Sequence, residues 1–419
     1  MRHDPAIPAP LPVGERISAI DVLRGFSLFG IVVVNAWFFG LPLAVGSGQT
    51  AVQTQGADGI AWFVVTGFFS FKFISIFSVL FGFGIAMQRA RLLERTGRAA
   101  GFHARRMAIL AVFGLLHAGL LWYGDILFQY ALVGMIMILL IQISTTIRLW
   151  LGIGCLAVSM SGAFLFGLLP LFAPAVGDVP DLTLRGLEAM KAAVFDPAHP
   201  HWIPAEIAAY RDGPWTDALL FRSVTWGFAS VMFFLNYGWH VLGLVLVGSC
   251  FHDIGLFDAD RRPLLGRLAI WGVAIGLPAE LTVAGLLQFG EPDVPQRAVL
   301  SAVHDVASAT LAIGLIGVVG RACAAKRMPG AKTFATVGRM SLSAYLLESV
   351  LFVTLMSFWG FAQFGRFGEM ELLLAAILVY GVVAAICLLW SRRYRMGPME
   401  WLWRAGSYLG APRIEKPRA

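Results

Sequence analysis

The stretch MELLLAAILVYGVVAAICLLWS, Met370 to Ser391, decides the fold. Its 22 residues carry one charged side chain, Glu371, at the start. As an α-helix it would be ~33 Å long, enough to cross the ~30 Å hydrocarbon core of a bilayer. Its apolar residues follow one another without the alternation that a membrane β-strand requires. Runs of this kind recur along the chain. They predict ten spanning helices, at about 18–40, 60–88, 107–124, 126–144, 149–172, 223–251, 267–289, 299–320, 338–359 and 370–391.

The composition agrees. Of 419 residues, 58% are hydrophobic and 14% are charged, whereas soluble domains hold roughly 45–50% apolar and about 25% charged residues. So few polar groups cannot cover a soluble globule. A secreted disulfide scaffold, a disordered chain and an ordinary cytosolic enzyme are excluded. The expected class is an all-α polytopic membrane protein.

Charge sets the expected orientation, because Lys and Arg collect on the cytoplasmic side of spanning helices. The N-terminus, alternate loops and C-terminal tail hold 24 Lys and Arg, and the opposite loops hold six. This places both termini in the cytoplasm, in a multi-pass protein of the cytoplasmic (inner) membrane. Anionic lipid headgroups account for the basic excess, so membrane lipids are the expected partners and nucleic acid is not.

Residues 1–17 are Pro-rich and read as a disordered cytoplasmic tail. Segment 25–39 resembles a signal-peptide core, but Asp21 and Arg24 at its edge and the absence of a clear cleavage site favour an uncleaved first span. Residues 173–222 form a long non-cytoplasmic loop, rich in Pro, with a helical piece at 181–195. The loop divides a first five-helix half, 18–172, from a second, 223–391. Residues 392–419 form a cytoplasmic tail, in which 396–410 reads as a short interfacial helix. The Leu277-Pro278 step hints at an interrupted span. Cys155, Cys250, Cys323 and Cys387 lie in or beside spans without metal-type spacing.

Ionisable residues inside spans carry the functional information, because each is expensive unless it meets a partner or a cavity. Asp21 and Arg24 are three residues apart, and Asn35 lies on the face of Arg24 about three turns later. Ser301, His304, Asp305 and Ser308 form one stripe. Ser341, Tyr345 and Glu348 form another. Asn236 and His240 are one turn apart. Lys72, His117 and Glu280 stand alone, and Asp125 sits in the turn between the third and fourth spans. Any one of these is also explained as an internal ion pair, such as Asp21 with Arg24 or Lys72 with Glu280 or Glu348. Together they predict a polar cavity whose carboxylates and imidazoles suit proton transfer. There is no P-loop, H-E-x-x-H or G-x-S-x-G motif. His199 and His201 lack a third ligand, so no metal is expected.

Several of these residues fall in ordered motifs. Asp21-Val22-Leu23-Arg24-Gly25 with Gly30-Ile31 and Asn35 opens the chain. Phe77-Ser78-x-Leu80-Phe81-Gly82-x-Gly84, Arg105-Arg106, Gly114-Leu115-Leu116-His117, Gly124-Asp125-Ile126-Leu127 and Tyr130-Ala131-Leu132 follow. Gly338 to Leu346 and Gly397 to Arg404 complete the set. From about 16 to 410 the chain resembles the YeiB-like membrane proteins, with their C-terminal domain of unknown function 418. Glu348 departs from the Gln more frequent in that family. The opening motif is similar to that of transmembrane acyltransferases, which pass an acyl group from cytoplasmic acyl-CoA to a sugar-type acceptor across the membrane.

The resemblance implies an acyl-CoA donor held by Arg24, Arg89, Arg105 and Arg106 at the cytoplasmic mouth. It implies His117 or His304 as general base, oriented by Asp125 or Asp305. Asp21, Asn35, Lys72, His240, Glu280, Tyr345 and Glu348 would line the substrate cavity. The N-acetyltransferases of that group carry a His soon after the first span, and residues 36–60 contain none, so either another imidazole serves or that chemistry is absent. The alternative is a transporter or flippase of a small or lipidic solute through the same cavity. Gly-rich spans leave homo-oligomers open.

Overall fold

A computed structural model describes residues 18–47, 54–172, 185–192, 199, 201–410, 412, 414 and 415. The N-terminal tail, most of 173–200 and the last residues lie outside the described residues. So do the ends of the expected helix at 181–195.

The described chain is α-helical apart from one isolated bridge between Tyr394 and Glu415. The helices of the first part are α1 (Ser18–Gly40), α2 (Leu43–Gly46), α3 (Gly56–Val64), α4 (Lys72–Thr96), α5 (Ala100–Leu120), α6 (Leu127–Leu140) and α7 (Thr145–Gly167). The central part holds α8 (Gly186–Ala192), α9 (Trp202–Arg211), α10 (Trp215–Met232) and α11 (Gly238–Asp253). The rest are α12 (Arg262–Phe289), α13 (Val294–Ala324), α14 (Ala331–Arg339), α15 (Ser341–Met356), α16 (Glu369–Arg393) and α17 (Pro398–Tyr408).

Among the described residues, seven helical stretches are long and apolar enough to cross a membrane: 19–40, 56–96, 145–172, 215–253, 259–289, 294–324 and 369–393. An eighth follows if α14 and α15, which meet at 90°, are taken as one bent span. The protein is therefore an all-α, multi-pass integral membrane protein. The expected third and fourth spans exist as α5 and α6. However, α5 carries Arg105 and Arg106, and α6 has only 14 residues, so neither meets that standard.

The outer surface is apolar. Trp150 and Leu165 of α7 and Leu378 of α16 are each more than half exposed, as expected where lipid replaces water.

Besides the bent α14–α15 pair, two spans are interrupted among the described residues, though not where expected. Pro278 lies inside a continuous α12. The breaks are π-helical turns at Val65–Phe69, between α3 and α4, and at Phe233–Tyr237, between α10 and α11. Single π turns of this kind gather at functional sites. After the first break Phe71 adopts a left-handed backbone, φ 64°. For a bulky residue this is strained, and it persists only where the surroundings hold it.

Close backbone approach locks α4 to α11. A Cβ placed on Gly82 would lie 1.9 Å from the Val245 carbonyl oxygen, and one on Gly248 would lie 1.9 Å from that of Val79. Small residues permit this contact, as at other membrane helix interfaces. Gly82→Ala is therefore expected to destabilise by ~1–3 kcal/mol, read as a lower melting temperature in detergent. Gly101→Ala, where nothing lies within 4 Å, should not lower it. Equal melting of the two variants would refute the packing argument.

Candidate functional site

Helix ends from both halves of the chain enclose a cavity of about 300 Å³. Its interior wall is apolar, with Leu28 and Ile31 of α1, Leu80 and Phe81 of α4, and Leu110 of α5. Its other wall is cationic, with Arg24, Arg91, Arg95, Arg106, Arg339 and Arg404. These arginines come from the start of α1, the end of α4, the start of α5, the end of α14 and α17, which meet at one end of the bundle. The volume is at the low end for ligand sites. An apolar chamber with a guanidinium rim suits an anionic amphiphile, since guanidinium groups bind phosphate and carboxylate in a fixed fork geometry.

The C-terminal helix completes this wall. Trp403, Arg404 and Tyr408 of α17 line the cavity, and the Arg106 guanidinium lies 3.7 Å from the Trp403 ring centre. Glu400 anchors α17 by capping α15. Its Oε1 accepts from the backbone N–H of Leu342 at 2.6 Å and of Ser343 at 3.1 Å, and its Oε2 accepts from Ser343 Oγ at 2.6 Å. A carboxylate at a helix N-terminus satisfies otherwise orphaned donors. Burial raises the Glu400 carboxyl above its ordinary range, and these hydrogen bonds pull the other way.

Behind the cavity lies a buried dyad. His117 Nδ1 is 2.9 Å from Asp125 Oδ1, and His117 Nε2 is 2.9 Å from Ser349 Oγ. Asp125 is held by its second oxygen, which accepts from the Phe128 N–H at 2.9 Å and caps α6. Tyr345 separates the dyad from the cavity. Its ring lines the chamber, and its centre is 5.1 Å from that of His117. A carboxylate that fixes one imidazole nitrogen leaves the other to exchange a proton with a hydroxyl.

A second polar cluster lies inside the spans, between the two interrupted helices. Lys72 Nζ donates to Glu280 Oε2, and to the Thr66 carbonyl at 2.6 Å. His304 Nδ1 is 2.8 Å from the same Glu280 oxygen. His240 Nε2 is 2.7 Å from Ser75 Oγ, and its Nδ1 is 2.9 Å from Asp305 Oδ1 without aligned hydrogen-bond geometry. Ser159 Oγ donates to Asp305 Oδ1 at 3.1 Å. Phe71, in its left-handed conformation, packs edge-on against both His304 and His240.

The polar residues singled out by sequence thus fall into separate groups. Arg24 and Arg106 reach the cavity wall with Asp21 and Tyr345, whereas Arg89, Arg105 and Asn35 do not. Arg105 donates instead to the Ser407 carbonyl at 2.8 Å. His117 joins Asp125, while His304, Asp305, His240, Lys72 and Glu280 share the second cluster. Glu348 is buried and lies in neither group. Asp21 and Arg24 do approach each other, at 3.9 Å. Sequence reading missed Ser349, Ser75 and Ser159, which look like ordinary small helix residues. It counted Arg91, Arg95, Arg339 and Arg404 only as topology signals. A signal was present for Ser349, four residues after Tyr345 and so on the same helix face. Among the described residues no group of three or more His, Cys, Asp or Glu is placed to hold a metal ion.

Residues 253–410 match the family model described as a protein of unknown function, DUF418. The chain is 28% identical to the uncharacterized protein YxaH of Bacillus subtilis, over 97% of this chain and 98% of that one. It is also 28% identical to the uncharacterized protein YeiB of Escherichia coli, over 93% and 96%. To an uncharacterized 39.9 kDa protein from the amylase 3′ region of Bacillus acidopullulyticus it is 26% identical, over 95% and 96%.

Proposed function

We propose that this chain, which belongs to the DUF418 and YeiB-like family of membrane proteins, is an acyltransferase that takes an acyl group from cytoplasmic acyl-CoA. The observation that carries the reading is the pairing of an arginine rim with an apolar chamber, backed by the His117–Asp125 dyad. In this reading α5 and α6 also cross the membrane, which makes ten spans. Both termini then lie on the arginine-rich cytoplasmic side of the inner membrane, in keeping with 24 basic residues on that side and six on the other.

Arg24, Arg91, Arg95 and Arg106 would hold the phosphates of the donor, and the chamber would receive the thioester and its acyl chain. The acceptor oxygen or nitrogen attacks the thioester carbonyl carbon, and the C–S bond breaks. His117, fixed by Asp125, takes the acceptor proton and returns it to the departing sulfur, so the step balances without another reactant. Tyr345 stands between the dyad and the chamber and must turn aside for contact.

Binding of acetyl-CoA to detergent-purified protein tests the rim. A charge-assisted hydrogen bond contributes ~1.5–3 kcal/mol, so Arg24→Ala and Arg91→Ala should each weaken binding about tenfold or more. Arg89→Ala, off the cavity wall, should bind as wild type does. Unchanged affinity in the first two variants, or equal loss in all three, would remove the proposed donor site.

A second reading, transport of a small or lipidic solute, is favoured by one observation. Both interrupted helices abut the cluster of Lys72, Glu280, His304, His240 and Asp305, and broken spans build solute sites in transporters. A solute bound at that cluster in purified protein, with no acetyl-CoA binding at the rim, would select it.

A further inference from the structure

At the end of the bundle away from the arginine cavity, a set of buried polar groups takes no part in the acyl-transfer reading. α9 and the start of α10 carry Glu206, Tyr210, Arg222 and Thr225 into the interior, with exposures of 0%, 7%, 2% and 0%. Segments from both halves close over them. The Leu43 N–H donates to Glu206 Oε2 at 3.3 Å, and the Phe358 N–H donates to the Tyr210 carbonyl at 2.8 Å.

Arg222 is the centre of this set. One terminal nitrogen donates to the Gly119 carbonyl at 2.9 Å, and the guanidinium lies 5.5 Å from the Trp215 ring centre. Among the described residues no carboxylate pairs with it, and its Nε makes no aligned hydrogen bond, although the Tyr210 hydroxyl lies close to the guanidinium. A buried charge without a counter-ion is costly. Glu206 does not supply that charge at neutral pH, because burial pushes its carboxyl up to about 8. Its Oε2 accepts from Leu43 and, at 3.2 Å, from Trp202 Nε1. Its Oε1 and Thr225 Oγ1 find no partner among the described residues. The Tyr210 hydroxyl lies within reach of the Arg222 guanidinium without an aligned hydrogen bond. Tyr210 also interacts electrostatically with Glu206, which makes the three one group, and Thr225 follows Arg222 by one turn of α10. Each unsatisfied buried group is costly, and native proteins tolerate few of them.

We propose that Arg222, Tyr210 and Glu206 form a binding site for a small monocarboxylate. A carboxylate supplies the single negative charge that Arg222 lacks, and its two oxygens accept from the guanidinium Nε–H, the Tyr210 hydroxyl and the protonated Glu206. A dianion such as sulfate would leave one negative charge unbalanced in the same interior. The site stands apart from the acyl-CoA reading, because it lies at the other end of the bundle and uses none of the rim arginines.

The test is thermal unfolding of the detergent-purified full chain at pH 7, without acyl-CoA. Sodium acetate and sodium lactate are titrated against sodium chloride and sodium sulfate at equal ionic strength. One of the two carboxylates should raise the melting temperature to a plateau, and chloride and sulfate should not. Tyr210→Phe, which keeps the packing, should weaken that carboxylate's binding severalfold, and Arg222→Gln should abolish the rise. If Arg222→Gln does not fold, calorimetric titration of Tyr210→Phe with the same carboxylate decides. A rise produced equally by chloride, one produced only by sulfate, no rise with either carboxylate, or wild-type affinity in Tyr210→Phe would overturn the proposal. None of these outcomes bears on acetyl-CoA binding at the rim.

Discussion

His117→Ala should cut acyl transfer by about 10²–10⁴-fold, the usual contribution of a positioned general base, while leaving acetyl-CoA binding unchanged. His117 is buried, with 2% exposure, and both ring nitrogens are engaged, one by Asp125 and one by Ser349. The imidazole is therefore fixed in orientation before a substrate arrives. Removing it deletes the proton acceptor but no part of the arginine rim. Asp125→Asn should fall between wild type and His117→Ala, since the amide keeps an oxygen for the Phe128 N–H yet no longer stabilises an imidazolium. Release of the CoA thiol from acetyl-CoA, followed in membranes that contain the acceptor, measures both variants. A folded His117→Ala protein with full activity would end the role assigned to this residue.

Lys72→Met should destabilise the protein by ~3–5 kcal/mol, the cost of breaking a buried ion pair by removing one partner. Lys72 and Glu280 are both fully buried. The ammonium also donates to the Thr66 carbonyl, in the π turn that precedes the strained Phe71. Without Lys72 the fully buried Glu280 charge keeps, among the described residues, only the His304 contact. The double variant Lys72→Met with Glu280→Leu should recover most of the loss, because a buried ion pair replaced by packed apolar groups is often close to neutral. Melting temperatures of the two proteins in detergent decide the point. A single variant as stable as wild type would mean that the pair does not hold the α3–α4 break against α12.

Much of the site was legible as residue types and little of it as neighbours. Helical spacing placed His304 and Asp305 on one stripe and Ser341 with Tyr345 on another, and the helices bear these faces. Spacing says nothing about which other helix a face will meet. His117 and His304 therefore looked like equivalent candidates for one base. In the structure His117 joins Asp125 across the α5–α6 turn, whereas His304 joins Glu280 of α12. The arginines are legible by side but not by direction, for a related reason. A basic residue at a helix end marks orientation whether it faces lipid headgroups or a cavity. Arg91 turns inward with α4, and Arg105 turns toward α17, because the packing of α1, α4, α5 and α17 sets the direction of each end.

The sequence by itself determined the environment and the material of this protein. Apolar content and continuous runs require a bilayer and helices, because backbone groups in hydrocarbon must bond within their own segment. Buried ionisable residues are costly in the same medium, which favours those that meet partners. Tertiary structure alone decided which partners. It placed the helix breaks at 65–69 and 233–237 rather than at Pro278, and it set the rim arginines against an apolar chamber. It also enclosed Arg222 and Glu206, from a stretch that reads as a loop. The physical reason is that burial and pairing depend on contacts between segments far apart in the chain, and the periodicity of a single helix does not encode them.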